Sequence, residues 1–328
     1  MFEVIAAYFR TLCDRFGEGW NRFWFTPSDP CILGPIRFLT GLVVLYLHAT
    51  LSPDLVRFFG AGGWIPLDTL RELNGGTLPL SYLNYLSTPG ELWTAQAIAA
   101  VVLLLFTLGL FTRITSILSL VVLVSEVHRG PMLTSQVEPI ATFLLLYLCI
   151  GPAGACFSLD ALLRRRKQAD PQSLLHPASG LSFTATLAVR LMQVHVAIVY
   201  GLMGLSQLTV DTWWIGLGTW WLVARADSRL IDLTWLNPSL IQLWNYAQLL
   251  FEFTFALLIW NRLARPLLLA IGVFMWPLLA LATGFGTFAV MMLIANLAFV
   301  PSSALRACWA GCSRKSPETI SLTPARRS

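Results

Sequence analysis

Five ionisable residues sit inside otherwise apolar stretches of this 328-residue chain: Arg37, His48, Arg190, His195 and Glu252. A charged group in a hydrocarbon-like run is costly to keep, so by default it marks a site. Gln193, Gln207, Asn245, Gln248 and Asn296 add uncharged polarity to the same stretches. Asn245, Gln248 and Glu252 fall at i, i+3 and i+7, which on a helix makes one stripe, and Arg190, Gln193 and His195 cluster on another segment. The stripe must face other helices, because lipid offers no hydrogen bonds. One chemistry that follows is a polar cavity in which Arg37 or Arg190 pairs with Glu252 and a substrate headgroup or a proton is handled. The other reading is a structural ion pair with interhelical hydrogen bonds. Glu126 and Glu138 fall nearer the ends of their apolar stretches, and His48 is expected near the outer end of its helix, in water. No Ser/His/Asp set, phosphate-binding glycine loop or HExxH is present. The six cysteines form no CxxC pair and no Cys/His spacing, so no metal is expected and they read as small reduced residues near the cytoplasmic face.

The elements that position these groups follow from composition. The chain is 56% hydrophobic and 12% charged, with a mean hydropathy of +0.68, about half the charge of a soluble domain. A membrane span needs roughly 20 largely apolar residues. Eight such stretches are legible, near 34–51, 92–111, 114–129, 138–152, 185–208, 239–261, 265–283 and 286–300. The expected fold is therefore all-α, a polytopic transmembrane bundle over 26–301. Residues 1–25 carry Phe2, Ile5, Phe9, Leu12 and Phe16 on one face and are expected to form an amphipathic helix on the membrane surface. They lack the pattern of a signal peptide. A hydrophilic linker at about 160–182 opens with Arg164–Lys167. An outer aromatic segment, 211–235, carries Trp213/Trp214 and Trp220/Trp221 two helical turns apart, which suits an interfacial anchor. Residues 302–328 form a basic tail, expected to be unstructured.

Under strict alternation, one side of the membrane receives Arg10, Arg15, Arg22, Arg113, Arg164–Lys167, Arg262, Arg265 and the tail's basic residues. The other receives Arg57, Arg71, Arg129, Arg225 and Arg229. The first side leads by about three to one, which puts both termini in the cytoplasm. The formal charge of +5 thus sits at chain ends and in loops, and no nucleic-acid partner is expected.

Three motifs in order carry a resemblance. PIRFLTGLVVLYLH (35–48) is followed by RFFGAGGWIP (57–66). VYGLMGLSQL (199–208) is followed by WWIGLGTWW (213–221). LLFEFTFALLIWNRLARP spans 249–266. Together they resemble the horizontally transferred transmembrane (HTTM) family, bacterial relatives of the vitamin K-dependent gamma-glutamyl carboxylase, over roughly 20–300. The resemblance implies a bacterial cytoplasmic-membrane protein and family positions at Arg37, Trp64, Gly204, Leu208, Trp213, Gly216 and Glu252. It also implies a reduced quinone as cofactor. Gln207, however, stands where the carboxylase has the lysine thought to generate its strong base, and an amide is no base near neutral pH. The histidine of the fourth helix has no counterpart in LTSQVEPI (133–140), and Trp276 stands near the place of one in the seventh. No loop is long enough for a substrate domain.

The expected function is therefore that of a non-carboxylating relative that binds a lipid, a quinone or a membrane-protein partner in a polar intramembrane cavity. Candidate cavity residues are Arg37, Arg190, His195, Gln207, Gln248 and Glu252. The alternatives are a carboxylase- or oxygenase-like enzyme that uses a quinone through other residues, and a small transporter running through Arg37, Glu252 and His195.

Overall fold

The computed structural model describes residues 2–168, 180–225 and 229–313, and these are all-helical apart from a single bridge between Ser28 and Ser182. The order is α1 (Phe2–Phe25), α2 (Leu33–Leu51), the short α3 (Leu55–Phe59) and α4 (Leu67–Leu73), α5 (Pro89–Leu108), α6 (Thr112–Arg129), α7 (Val137–Ile150) and α8 (Leu159–Gln168). Then come α9 (Phe183–Leu208), the short α10 (Asp211–Trp214) and α11 (Gly218–Val223), α12 (Pro238–Leu258), α13 (Ala264–Thr283), α14 (Gly286–Asn296) and α15 (Ser302–Ser313).

Four of these segments are long and apolar enough to cross a membrane: Pro30–Phe59 (which contains α2), α5, α9 and α13. Their outward faces are apolar and exposed, for example Ile98, Val101 and Leu104 on α5 and Leu267, Ile271 and Phe274 on α13. The chain is accordingly an integral, multi-pass membrane protein. The other four expected spans are helices within three residues of the expected bounds, but differ in kind. α7 and the run Gly286–Phe299 are apolar and short, whereas α6 and α12 are long and carry more polar residues.

Contacts sort the loops to two ends of the bundle. One end gathers Asp29, Ser182 and Arg306, through the Ser28–Ser182 bridge and an Arg306–Asp29 ion pair of 2.6 Å. The other gathers the 60–85 segment, where Arg129 donates to the Ile65 carbonyl at 2.7 Å and Ser81 to that of Ser125 at 2.8 Å. The core between them is one continuous cluster drawing Ile36 and Val44 from α2, Leu144 and Leu148 from α7, Met192 and Tyr200 from α9, Phe255 from α12, Trp276 from α13 and Met291 from α14.

The hydrophilic linker at 160–182 opens as helix, since α8 continues through Gln168. One expectation is corrected at the first end. The tail is not unstructured from 302, because α15 runs to Ser313, anchored by Arg306 on Asp29 and by the Ser302 hydroxyl on the Asp29 carbonyl. The rest of the linker, 169–179, and of the tail, from 314, lies outside the described residues, as do the side chains of Cys308 and Cys312.

α6 begins without a cap of its own, since Phe111 precedes it in a left-handed conformation and offers no side-chain bond. Asp160 supplies the cap from α8. Its carboxylate accepts from the backbone N–H of Phe111 (2.9 Å) and Thr112 (2.8 Å) and from the Thr112 hydroxyl (2.6 Å). Burial opposes this charge, but the Thr112 and Phe111 bonds and the nearby Arg164 outweigh it, and the Asp160 pKa lies below the ordinary value. These bonds are complete above the unfolded aspartate's pKa, about 4, and are lost as pH falls through the lowered one. Asp160→Ala is expected to cost about 1–2 kcal/mol at pH 7, the usual worth of a cap. Asp160→Asn should lessen the fall in stability below about pH 4, with thermal unfolding in detergent across pH as the measurement.

Candidate functional site

The stripe on α12 is real and is divided between two tasks. Asn245, fully buried, binds the aromatic segment: its Oδ1 accepts from the Thr219 N–H at 3.0 Å and its Nδ2 donates to the Trp213 carbonyl at 3.0 Å. Gln242 donates to the Ile215 carbonyl (3.0 Å) and Tyr246 to that of Trp214 (2.7 Å). The segment is thus two short helices lashed to the start of α12. Its turn needs Gly216, which has φ of +76° and approaches Gln242 so closely that a Cβ would lie 2.2 Å from its Cγ. Trp214 and Trp221 remain mostly exposed, as an interfacial anchor requires.

One turn deeper, Gln248 and Glu252 meet Gln207 of α9. Both amides donate to the same Glu252 oxygen, Oε1, each at 3.1 Å. All three side chains are buried, and Gln207 Oε1, Gln248 Oε1 and Glu252 Oε2 have no partner. Gln207 therefore does not reproduce a base. It is a hydrogen-bond donor to the carboxyl.

The expected partners of Glu252 are elsewhere. Neither Arg37 nor Arg190 pairs with it. Arg37, fully buried on α2, donates to the carbonyls of Phe106 at the end of α5 (3.3 Å) and of Phe157 before α8. Arg190 sits at the end of the bundle that carries α1, bonded to the Phe23 carbonyl and to Gln193. His195 accompanies neither: it stacks on Phe143 at 4.0 Å and shares a hydrogen bond with the Tyr147 hydroxyl at 3.0 Å, in the α7–α9 seam. A path through Arg37, Glu252 and His195 has no contiguous side chains to run along. The three residues lie on α2, α12 and α9 and each meets different neighbours.

The other positions singled out in the sequence make packing and hydrogen-bond contacts. Trp64 is largely exposed, under the Arg57 guanidinium (4.5 Å) and edge-on to Phe58. Gly204 lies against the Phe253 ring. The Leu208 carbonyl accepts from Trp214 Nε1 at 2.7 Å. Trp276, fully buried, donates to the Tyr200 hydroxyl at 2.8 Å, which also accepts from Asn296 at 2.9 Å.

A second constellation was not foreseen. His48 is not in water: it is 1% exposed. Its Nδ1 lies 2.5 Å from Glu126 Oε1, and its Nε2 lies 3.0 Å from the Gln96 carbonyl. A carbonyl only accepts, so Nε2 carries a hydrogen and the Nδ1–Glu126 contact shares one further proton. Gln96 secures the ring's helix by donating to the His48 carbonyl at 3.0 Å and to Ser52 Oγ at 2.9 Å. Glu126 forms part of the wall of a cavity of about 400 Å³, together with Tyr46, Thr50, Phe59, Leu133 and Glu138. Glu138 is occupied, since its Oε2 accepts from the Ser135 N–H (2.8 Å) and hydroxyl (2.7 Å). The spacing of 78 residues between His48 and Glu126 leaves no trace in either segment alone. The only hint was that both sit in otherwise apolar runs.

Comparison with known protein families, characterised proteins and solved structures finds no match to this chain.

Asn245→Ala removes the bonds to both Thr219 and Trp213. Hydrogen exchange should then accelerate across 211–223, while that of α9 and α12 below Gln248 stays slow. Equal acceleration throughout would mean that Asn245 supports the whole seam instead.

Proposed function

We propose that this chain is an eight-span membrane protein of HTTM-like plan, with both termini in the cytoplasm, that binds the dihydroxy head of a reduced quinone beside the His48–Glu126 pair. The span count is supported by where polarity lies. On α6, Thr115, Ser116, Ser119 and Ser125 face inward while Ile114, Ile117, Leu118 and Val121 face out. On α12, Asn245, Gln248 and Glu252 are inside and Leu243, Leu250 and Leu257 outside. A water-soluble helix has the reverse pattern. The short helices α7 and α14 are largely covered by neighbours, so neither must match the bilayer's thickness with its own side chains. The basic residues gather at the end that holds α1 and α15, which supports the orientation.

The observation that carries the ligand reading is Glu126, held by a buried histidine with which it shares a proton, in the wall of a mostly apolar cavity. A carboxyl in such a place accepts a hydrogen bond from a hydroxyl and offers a place for its proton. A reduced quinone brings two hydroxyl donors, whereas its oxidised form brings only acceptors. Tyr46, exposed on the outer face of α2, stands at the rim and suits entry from lipid. Carboxylation is not part of this reading, because Gln207 is an amide engaged with Glu252.

In lipid nanodiscs, reduced menaquinone is expected to bind at least tenfold more tightly than the oxidised form, and Glu126→Gln to abolish that preference. Equal binding of both forms, or of neither, would overturn the ligand reading. Glutamyl peptides supplied with reduced quinone, oxygen and bicarbonate should stay uncarboxylated.

A further inference from the structure

The end of the bundle that carries α1 and α15 holds another cavity, of about 500 Å³. Four separate stretches wall it: the end of α1 with the loop to Asp29, the first turns of α9, the α12–α13 turn, and 298–302. These bring together Arg22, Arg190, Arg262 and Arg265. The one acid among the lining residues, Asp29, is already engaged, with Oδ2 on Arg306 at 2.6 Å and Oδ1 accepting from the Cys31 N–H at 3.1 Å. Among the described residues, none of the four lining arginines forms an ion pair.

Two of the four are held in place rather than left to spread into water. Arg190 donates through Nη1 to Gln193 Oε1 at 2.8 Å and through Nε to the Phe23 carbonyl at 3.2 Å, and its guanidinium lies 4.4 Å over the Phe23 ring. Gln193 is itself fixed by donating to the Ala298 carbonyl at 2.7 Å. Arg265 donates through Nε to the Ile259 carbonyl at 3.1 Å, and among the described residues its Nη groups have no hydrogen-bond partner. Arg190 and Arg265 stand close enough for their charges to repel. Holding like charges together at the wall of a cavity whose one lining acid, Asp29, is instead paired with Arg306 costs stability unless an anion enters. Guanidinium groups present paired N–H donors that match the oxygens of phosphate.

We infer that this cavity binds a phosphate-type oxyanion, with Arg190 and Arg265 as its principal ligands and Arg22 and Arg262 at its rim. The oxyanion belongs either to an anionic lipid headgroup or to a soluble phosphate compound, since both present the same oxygens. The site lies at the opposite end of the bundle from the His48–Glu126 cavity and does not depend on the quinone reading.

The test uses the full chain in nanodiscs of phosphatidylcholine. One arm adds phosphatidylglycerol to the bilayer, and the other adds pyrophosphate to the buffer; binding is read by native mass spectrometry and by thermal shift. Saturable binding is expected in one arm, and that arm identifies the source. Arg265→Gln should weaken it at least tenfold, and Arg262→Gln, on an exposed residue with no bond to lose, at least threefold without altering the apo protein's unfolding. Arg113→Gln, exposed in another turn of the same end, should leave it unchanged. No saturable binding in either arm, or equal weakening by Arg113→Gln, would overturn the site.

Discussion

A guanidinium with no exposure to solvent has to be answered by the protein around it, and Arg37 makes that demand where three elements meet. Its answers are carbonyls rather than a carboxylate: Phe106 at the end of α5, and Phe157 just before α8. The Phe106 carbonyl also accepts the N–H of Gly109 at 3.0 Å, so the arginine adds a second donor to an acceptor at the helix end. The arrangement dictates Gly109, with φ of +73°, because a Cβ there would lie 1.5 Å from Arg37 Nη1. It also sets Asp160 near enough to offset part of the charge while it caps α6. The α5–α6 hairpin, the placing of α8 and the depth of α2 are thus one linked arrangement.

The same rule, that buried polar groups must be met from within, organises the rest of the bundle. Gln96 closes the α2–α5 seam and Asn245 ties the aromatic segment to α12. Trp276, Tyr200 and Asn296 join α13, α9 and α14. Each replaces contacts that the hydrophobic effect would supply in water and that lipid does not. Against that background, the three unpartnered oxygens of Gln207, Gln248 and Glu252 stand out as a place short of donors. An unmet buried acceptor costs about 1–3 kcal/mol.

The helices themselves were legible in the sequence because apolar runs bounded by Pro, Gly and Arg have few alternatives in a bilayer. Predicted 185–208 and observed Phe183–Leu208 differ only where polar Ser182 and Thr184 blur the start. The stripe on α12 was legible because helical spacing fixes it. Its partner Gln207 is legible as a polar residue in an apolar run, but no spacing joins it to Glu252, 45 residues on. Pairings between helices were not legible. Arg37, Arg190 and Glu252 look complementary as charges, but their depths and faces are set by packing that no local spacing encodes. His48 was expected in water because it sits near the end of its apolar run. Tight α2–α5 contact and Glu126, 78 residues on, bury it instead. α15 was missed for a different reason. Its basic composition suggested an unstructured tail, whereas a single ion pair to Asp29, far away in sequence, ties it down.

The bonds of Arg37 also impose an order of events on biogenesis. Its acceptors are 69 and 120 residues further along the chain. At roughly 5–20 residues per second, α2 must wait on the order of ten seconds in the translocon or bilayer before the Phe157 carbonyl is made. Until then the charge can only snorkel toward the headgroups from the start of the second turn of its helix, a depth at which a long cationic side chain still reaches water. An arginine two turns deeper could not wait in this way. The position of Arg37 is therefore suited to the unfinished chain as much as to the finished bundle.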